Sequence, residues 1–224
     1  MRWNILSNFV VMKTTLKEQV YDYLKNAITL GEIAPGDRLI EEKVSETLNV
    51  SRSPIREAVR MLEKDGLLNV NASGGVTVVS PTIDDYRHLY EARVEMESLA
   101  AYYAAKRRTP RELEEIKLFI DEMEREVADN DLKGMLQVNF GFHEAIVRAS
   151  QNPFLTSMTL QLRGVNSFYR KAILEGNPAY MRDALKDHQD IYHAIKNQEQ
   201  DHARQLMRHH IERDYQSFMK VVNK

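Results

Sequence analysis

Residues 51–68 read SRSPIREAVRMLEKDGLL, and this stretch decides the first part of the fold. Arg52, Arg56, Arg60 and Lys64 recur at every fourth position, while Ile55, Ala58, Val59 and Leu62 fall between them. At about 100° per residue the four cations drift slowly round the axis and form one stripe, and the apolar four face a core. Ser53 is the expected cap, Pro54 suits the first helical position, and Gly66 ends the helix. Such a helix can lie between a domain and a polyanion. Glu57 and Glu63 neighbour the cations, and on an isolated helix a charged face of this kind is ordinarily just solvated. The flanking elements give it a purpose.

Upstream, Leu16, Val20, Tyr23, Leu24, Ala27 and Ile28 keep a helical spacing that Gly31 is placed to end. APGDRL, residues 34–39, is turn chemistry: proline fixes φ and glycine frees it. Ile40, Val44 and Leu48 then mark a short second helix stopping near Asn49. Downstream, LLNVNASGGVTVVSP (67–81) places two β-branched runs around NASGG and predicts a small hairpin closed by Pro81. Helix, short helix, capped helix and hairpin is the order of a winged helix-turn-helix, expected over residues 14–80, whose second motif helix enters the DNA major groove. Residues 1–13 have no clean periodicity and read as a poorly ordered N-terminal extension.

From Ile83 proline and glycine thin out. Amphipathic helices are predicted at 83–107, 110–128, 131–150, 153–175, 178–197 and 200–222, broken at RRTP, ADND, SQNP, EGNP and NQEQD. The expected fold class is therefore mainly α, a winged helix-turn-helix domain followed by an all-α bundle over 81–224. No motif repeats at a 20–50-residue period, which argues against a solenoid.

Composition narrows the function classes. A chain of 224 residues, 43% hydrophobic, can build a core. Cysteine is absent, which removes disulfides, zinc ribbons and thiol catalysis and fits a reducing cytoplasm. No apolar run approaches bilayer length and no leader is evident, so no membrane partner is expected. The net charge of −2 advertises no polyanion partner by itself. Residues 1–80 carry ten cations and ten anions, so charge has to be read by face.

GDRLIEEKVSETLNVSRSPIREAVRMLEKDGLL (36–68) resembles the N-terminal domain of the GntR family of bacterial transcription regulators. It matches the pattern PG-x-R-L, a Glu-rich second helix, V-S-R-x-P-I/V-R-E-A and a terminal G-L/I. The resemblance implies double-stranded DNA as partner. Arg38, Arg52 and Arg56 then correspond to DNA-contacting arginines and Ser51 and Ser53 to phosphate donors near a helix N-terminus, while Arg60 and Lys64, further along, would touch phosphate or nothing. Where family members carry a basic residue before the wing glycine, this chain has Ser73-Gly74-Gly75. That leaves backbone contact by Gly75.

The histidines suggest what the bundle does. Asn139 and His143 stand one turn apart on one helix, His188 opens a later one, and His210 lies 22 residues on. Antiparallel helices could bring these side chains together inside the bundle, where such folds build metal sites. Three imidazoles with an oxygen suit zinc, nickel or another first-row divalent ion. A single histidine on a partly apolar helix more often has a core or surface role.

A second resemblance shifts that balance. EARVEMESLAAYYAA (91–105), VNFGFHEAIVRASQNPFL (138–155) and DHQDIYHAIKNQEQDHARQLMRHHI (187–211) are similar to the FCD ligand-binding domain of FadR-type GntR regulators. In that pattern D-x-x-x-H on one helix, and one histidine on each of two later helices, bind a divalent metal. Here the corresponding residues are Asn139, His143, His188 and His210, with Asn replacing the usual Asp. His193, His202 and His209 fall outside the pattern and read as surface residues. Arg93 resembles the arginine of the first FCD helix, whose fork would suit a carboxylate effector; a salt bridge to Glu97 at i+4 is the equal alternative. Asn166, Tyr169 and Arg170 could line the same cavity, the core or a dimer surface.

The expectation is a cytoplasmic, homodimeric, non-enzymatic regulator, a repressor, reading palindromic half-sites under the control of a small organic acid. A metal-responsive regulator and a metal-dependent hydrolase are the alternatives. The second lacks a placed general base.

Overall fold

The computed structural model describes residues 15–223, with the side chain of Arg163 excepted. The expected extension at 1–13 lies outside the described residues. α1 (Leu16–Thr29) starts at a capping box in which Thr15 N donates to Glu18 Oε2 at 2.7 Å and Glu18 N to Thr15 Oγ1 at 3.4 Å. Gly31 follows at φ 75°, where an L side chain is disfavoured. α2 (Glu41–Leu48) ends on Asn49 in the left-handed region, and α3 (Arg52–Lys64) carries the cation stripe.

Two details of the winged domain differ from expectation. α3 is capped by Ser51 and begins at Arg52, so Pro54 takes the third helical position. That costs nothing, because the amide proline lacks there is one that no intrahelical carbonyl could have reached. Residues 38–39, read as turn, form strand β1 (Arg38–Leu39). It pairs antiparallel with β3 (Val76–Val78), which also pairs with β2 (Leu68–Val70), giving a three-stranded sheet in the order β1-β3-β2. Two residues are too few for periodicity to register.

Ile55, Ala58, Val59 and Leu62 of α3 are buried with Val20, Leu24 and Ile28 of α1 and with Leu67, Leu68, Val76 and Val78. The cations of α3 remain outside, as the spacing requires. Phe168, from the second domain, packs against this core.

Six helices complete the fold: α4 (Ile83–Arg107), α5 (Pro110–Asp129), α6 (Leu132–Ala149), α7 (Pro153–Gly176), α8 (Tyr180–Lys196) and α9 (Gln200–Val222). Thr82–Asp85 and Thr109–Glu112 form capping boxes at α4 and α5. α8 starts two residues later than the periodicity predicts, because Asn177 and Pro178 make a turn closed by Tyr180 N donating to Asn177 O at 3.0 Å. Among the described residues no helix is long and apolar enough to cross a membrane.

α7 belongs to the bundle and also meets the winged domain. A Cβ on Gly164 would sit 2.5 Å from the carbonyl oxygen of Asp65 and 2.9 Å from the side chain of Leu67, so glycine is required for this approach.

Candidate functional site

An exposed face carrying the arginines is built by α2, α3 and the sheet. Arg38, Ser51, Arg52, Ser53, Arg56 and Arg60 are all exposed. Arg52 pairs with Glu42, and Arg56 Nε lies 3.0 Å from Glu41 Oε2. The carboxylates that hold these arginines therefore come from the preceding helix. Glu57, expected beside them, instead faces Lys17 at 3.5 Å. These are solvent-exposed pairs that add little stability; they orient the guanidinium forks. Ser51 caps α3 without a side-chain bond among the described residues, leaving the first-turn amides pointing outward. At the wing tip, Gly75 N donates to Asn71 Oδ1 at 2.7 Å, and Ser73 Oγ donates to the same oxygen at 2.8 Å.

The second site lies inside the bundle. His143 of α6, His188 of α8 and His210 of α9 bring one ring nitrogen each within 4.8 Å of one another. His188 Nε2 lies 3.1 Å from His210 Nε2. His188 and His210 are fully buried. Asn139 stands one turn before His143 and is 1% exposed. Its Oδ1 and Nδ2 and the Nε2 of His143 are buried with no hydrogen-bond partner among the described residues. Orphaned buried polar atoms of this kind are costly unless something fills the space between them. Three imidazoles and a carboxamide are a donor set that a first-row divalent ion fits.

The rings are aimed by a second layer of side chains. Glu97 Oε2 is 2.7 Å from His143 Nδ1, Asp187 Oδ2 is 3.3 Å from His210 Nδ1, and Met123 Sδ is 3.1 Å from His188 Nδ1. Such partners fix the tautomer and direct the opposite nitrogen inward. Burial first, only partly opposed by Glu97, lowers the His143 pKa to about 4. His188 is pushed well below its ordinary value by burial and by His210. Both rings are thus neutral and able to ligate at physiological pH. Burial works against the Glu97 carboxylate, but Arg93 and His143 outweigh it and hold its pKa far below the usual range.

The four residues expected around an effector separate into two groups. Arg93 and Asn166 line a cavity of about 30 Å³ with Glu97, Phe140, His143 and Thr159. Arg93 forms the expected ion pair with Glu97, Nε to Oε1 at 2.6 Å, and its Nη1 donates to Asn166 Oδ1 at 2.9 Å. Arg170 and Tyr169 do not line that cavity. Arg170 holds Asp214 through two bonds of 3.0 and 2.6 Å. Tyr169 stacks on Tyr86 with centroids 4.1 Å apart and donates to Thr82 O at 2.8 Å. His193, His202 and His209 are exposed, as expected.

Sequence reasoning missed Thr159, whose Oγ1 is buried without a partner among the described residues, and Glu97, Asp187 and Asp214 as orienting carboxylates. Only the i+4 spacing of Arg93 and Glu97 was visible. The other relations join residues on different helices.

A winged helix-turn-helix carrying exposed arginines, joined to a helical bundle with a buried histidine cluster, defines a class of two-domain DNA-binding regulators. Residues 16–78 match the bacterial regulatory proteins of the gntR family, and residues 88–213 match the FCD domain. The chain belongs to the GntR family of transcription regulators, in its FCD-containing form. It is 29% identical over 205 residues to the HTH-type transcriptional regulator YdhC of Bacillus subtilis strain 168, covering 91% of each chain. It is 23% identical over 207 residues to the HTH-type transcriptional repressor RspR of Escherichia coli strain K12, covering 92% of this chain and 90% of that one. The solved structure of E. coli McbR/YncC superposes with a TM-score of 0.83 at 25% identity, covering 93% of this chain and 99% of that one.

Proposed function

We propose that this chain is a homodimeric, cytoplasmic repressor of the FadR-type branch, whose hold on a palindromic operator is set by a small carboxylate effector bound beside a divalent ion. The winged domain, 14–80, binds DNA, and the bundle, 81–224, senses. Arg38, Arg52 and Arg56 contact DNA, Ser51, Ser53 and Arg60 contact phosphate, and Gly75, whose N–H and carbonyl are both bonded to Asn71, lets the wing backbone come close to the groove. Zinc or nickel is held by Asn139, His143, His188 and His210. The ion would polarise and position an anionic ligand in the cavity lined by Arg93 and Asn166, with Tyr169 and Arg170 supporting the wall from behind. A relative named as a repressor supports the direction of control.

One observation carries this reading: α7 touches both sites. Asn166 accepts from Arg93 at the cavity, and on the same helix Gly164 abuts Asp65, just past the end of α3, while Phe168 packs into the winged-domain core. A ligand that moves Asn166 therefore moves the support of α3, and differential affinity for the two placements becomes a change in DNA affinity. Exposed Phe154 and Met158, one turn apart on α7, support a surface buried by a second copy. Hydrolysis is disfavoured, because the nearest carboxylate, Glu97, is already engaged by Arg93 and His143.

The test is operator binding by fluorescence anisotropy, on a site selected from random DNA, with and without zinc and a panel of small carboxylic acids. An acid that shifts affinity about tenfold in wild type, and not in His143→Ala, supports the reading. Identical operator affinity under every condition rejects effector control.

A further inference from the structure

We propose that Asn139 makes ion and anion binding interdependent: an ion held by Asn139 and the three histidines binds more tightly when a small carboxylate occupies the cavity beside His143. The inference rests on the metal-centre reading above and deepens it.

Charge is the first argument. All four donors are neutral, since a histidine ligates as neutral imidazole. The carboxylates around the cluster are already matched: Glu97 by Arg93 at 2.6 Å, Asp214 by Arg170 at 2.6 Å, and Asp187 by Arg213 at 3.0 Å. A divalent ion would therefore bring two uncompensated positive charges into a site where His188 and His210 are fully buried. Buried charge without a partner is strongly unfavourable. A carboxylate on an open coordination position supplies one of the two missing charges.

The amide is the second argument. Asn139 has an acceptor, Oδ1, and a donor, Nδ2, both buried and unpartnered among the described residues. An ion can use only the oxygen. The Nδ2 hydrogens still need an acceptor, which a carboxylate oxygen provides and a second cation or an apolar ligand does not. An aspartate at this position would neutralise one charge itself, offer no N–H to the anion, and so weaken the anion's contribution. Asn139 thus favours a charged co-ligand, which would occupy the space running from His143 toward Thr159 and Asn166.

Coupling of this kind is reciprocal: whatever factor the anion adds to ion affinity, the ion adds to anion affinity. Zinc affinity of the full-length chain would be measured by competition with a chromophoric chelator, in chloride-free buffer at neutral pH and constant ionic strength. Acetate is the probe and acetamide, its uncharged isostere, the control, with acetate's own zinc complex subtracted. We expect acetate to tighten zinc binding about tenfold or more and acetamide to leave it unchanged. Asn139→Asp should bind zinc without acetate, and the acetate gain should shrink to about twofold or less. Equal zinc affinity in acetate and acetamide would overturn the coupling, and this wild-type comparison stands whether or not the variant folds. A full acetate gain retained in a folded Asn139→Asp would overturn the role of Asn139. His143→Ala separates the two levels: if it keeps wild-type zinc affinity, the metal centre itself is misplaced; if it loses zinc while acetate and acetamide act alike in wild type, the centre stands and only the coupling fails.

Discussion

Glu97 Oε2 lies 2.7 Å from His143 Nδ1, and Glu97 Oε1 lies 2.6 Å from Arg93 Nε, so one buried carboxylate joins the histidine cluster to the arginine of the cavity wall. Because Glu97 holds the Nδ1 edge, Nε2 is the nitrogen left for a ligand. Glu97→Gln keeps the shape, removes the charge and lets the ring turn. Zinc affinity should fall about 10- to 100-fold, read by chelator competition, and Arg93 should lose its closest counter-charge. Unchanged zinc affinity would show that Glu97 does not orient His143.

The stability of the metal-free chain should depend on pH through His143. Its pKa is about 4 in the folded state against an ordinary 6.5, so between those values the unfolded chain binds the extra proton. Stability is then full above about pH 6.5 and falls as pH drops toward 4, by about 3 kcal/mol for this one group. His188, shifted in the same direction, adds to the loss. Urea unfolding in a chelator-containing buffer at several pH values checks this; a flat profile from neutral to pH 5 would contradict it.

Asp214 satisfies Arg170 through two bonds and accepts from Tyr180 at 2.5 Å, all three side chains being buried. Asp214→Ala strands the guanidinium and should cost about 3–5 kcal/mol. Replacing Arg170 and Asp214 together with methionine and leucine should recover much of that. Denaturant midpoints of the single and double variants give the answer.

On the winged domain, Arg52→Ala and Arg56→Ala should each weaken specific operator binding by about 1–3 kcal/mol. Their surface pairs with Glu42 and Glu41 are worth little to the fold, so the melting temperature should stay put. A variant that melts early would mean that its arginine is structural.

Gly164→Ala tests α7 as the link. The added methyl would meet the Asp65 carbonyl oxygen at 2.5 Å, a backbone atom that cannot step aside. We expect about 1–3 kcal/mol of destabilisation with zinc affinity kept and the effector's influence on operator binding reduced. Normal effector response in this variant would take the coupling away from this contact.

The sequence by itself determined the elements and the two faces of α3. Ile55, Ala58, Val59 and Leu62 are buried and the arginines exposed because helical geometry alone separates positions three and four apart from those between them. Stops and breaks such as Gly31, Gly66 and RRTP act on neighbouring backbone, so most helix ends were legible to within a residue or two. β1 was not, since a two-residue strand exists only through its partner β3. At the site, the spacing of Asn139 and His143 on one helix was readable, and the family resemblance pointed to His188 and His210. What only the tertiary structure decided was how the charges pair. Glu97, one turn along α4, was within reach of Arg93 from spacing alone, but Asn166 of α7 and Asp214 of α9 come to it only by packing. Helical spacing left Arg170 open between cavity, core and dimer surface; in the structure Asp214, 44 residues away, binds it. Local pattern fixes which side of a helix a residue occupies; which charge it meets there depends on helices that come together only when the whole core is buried.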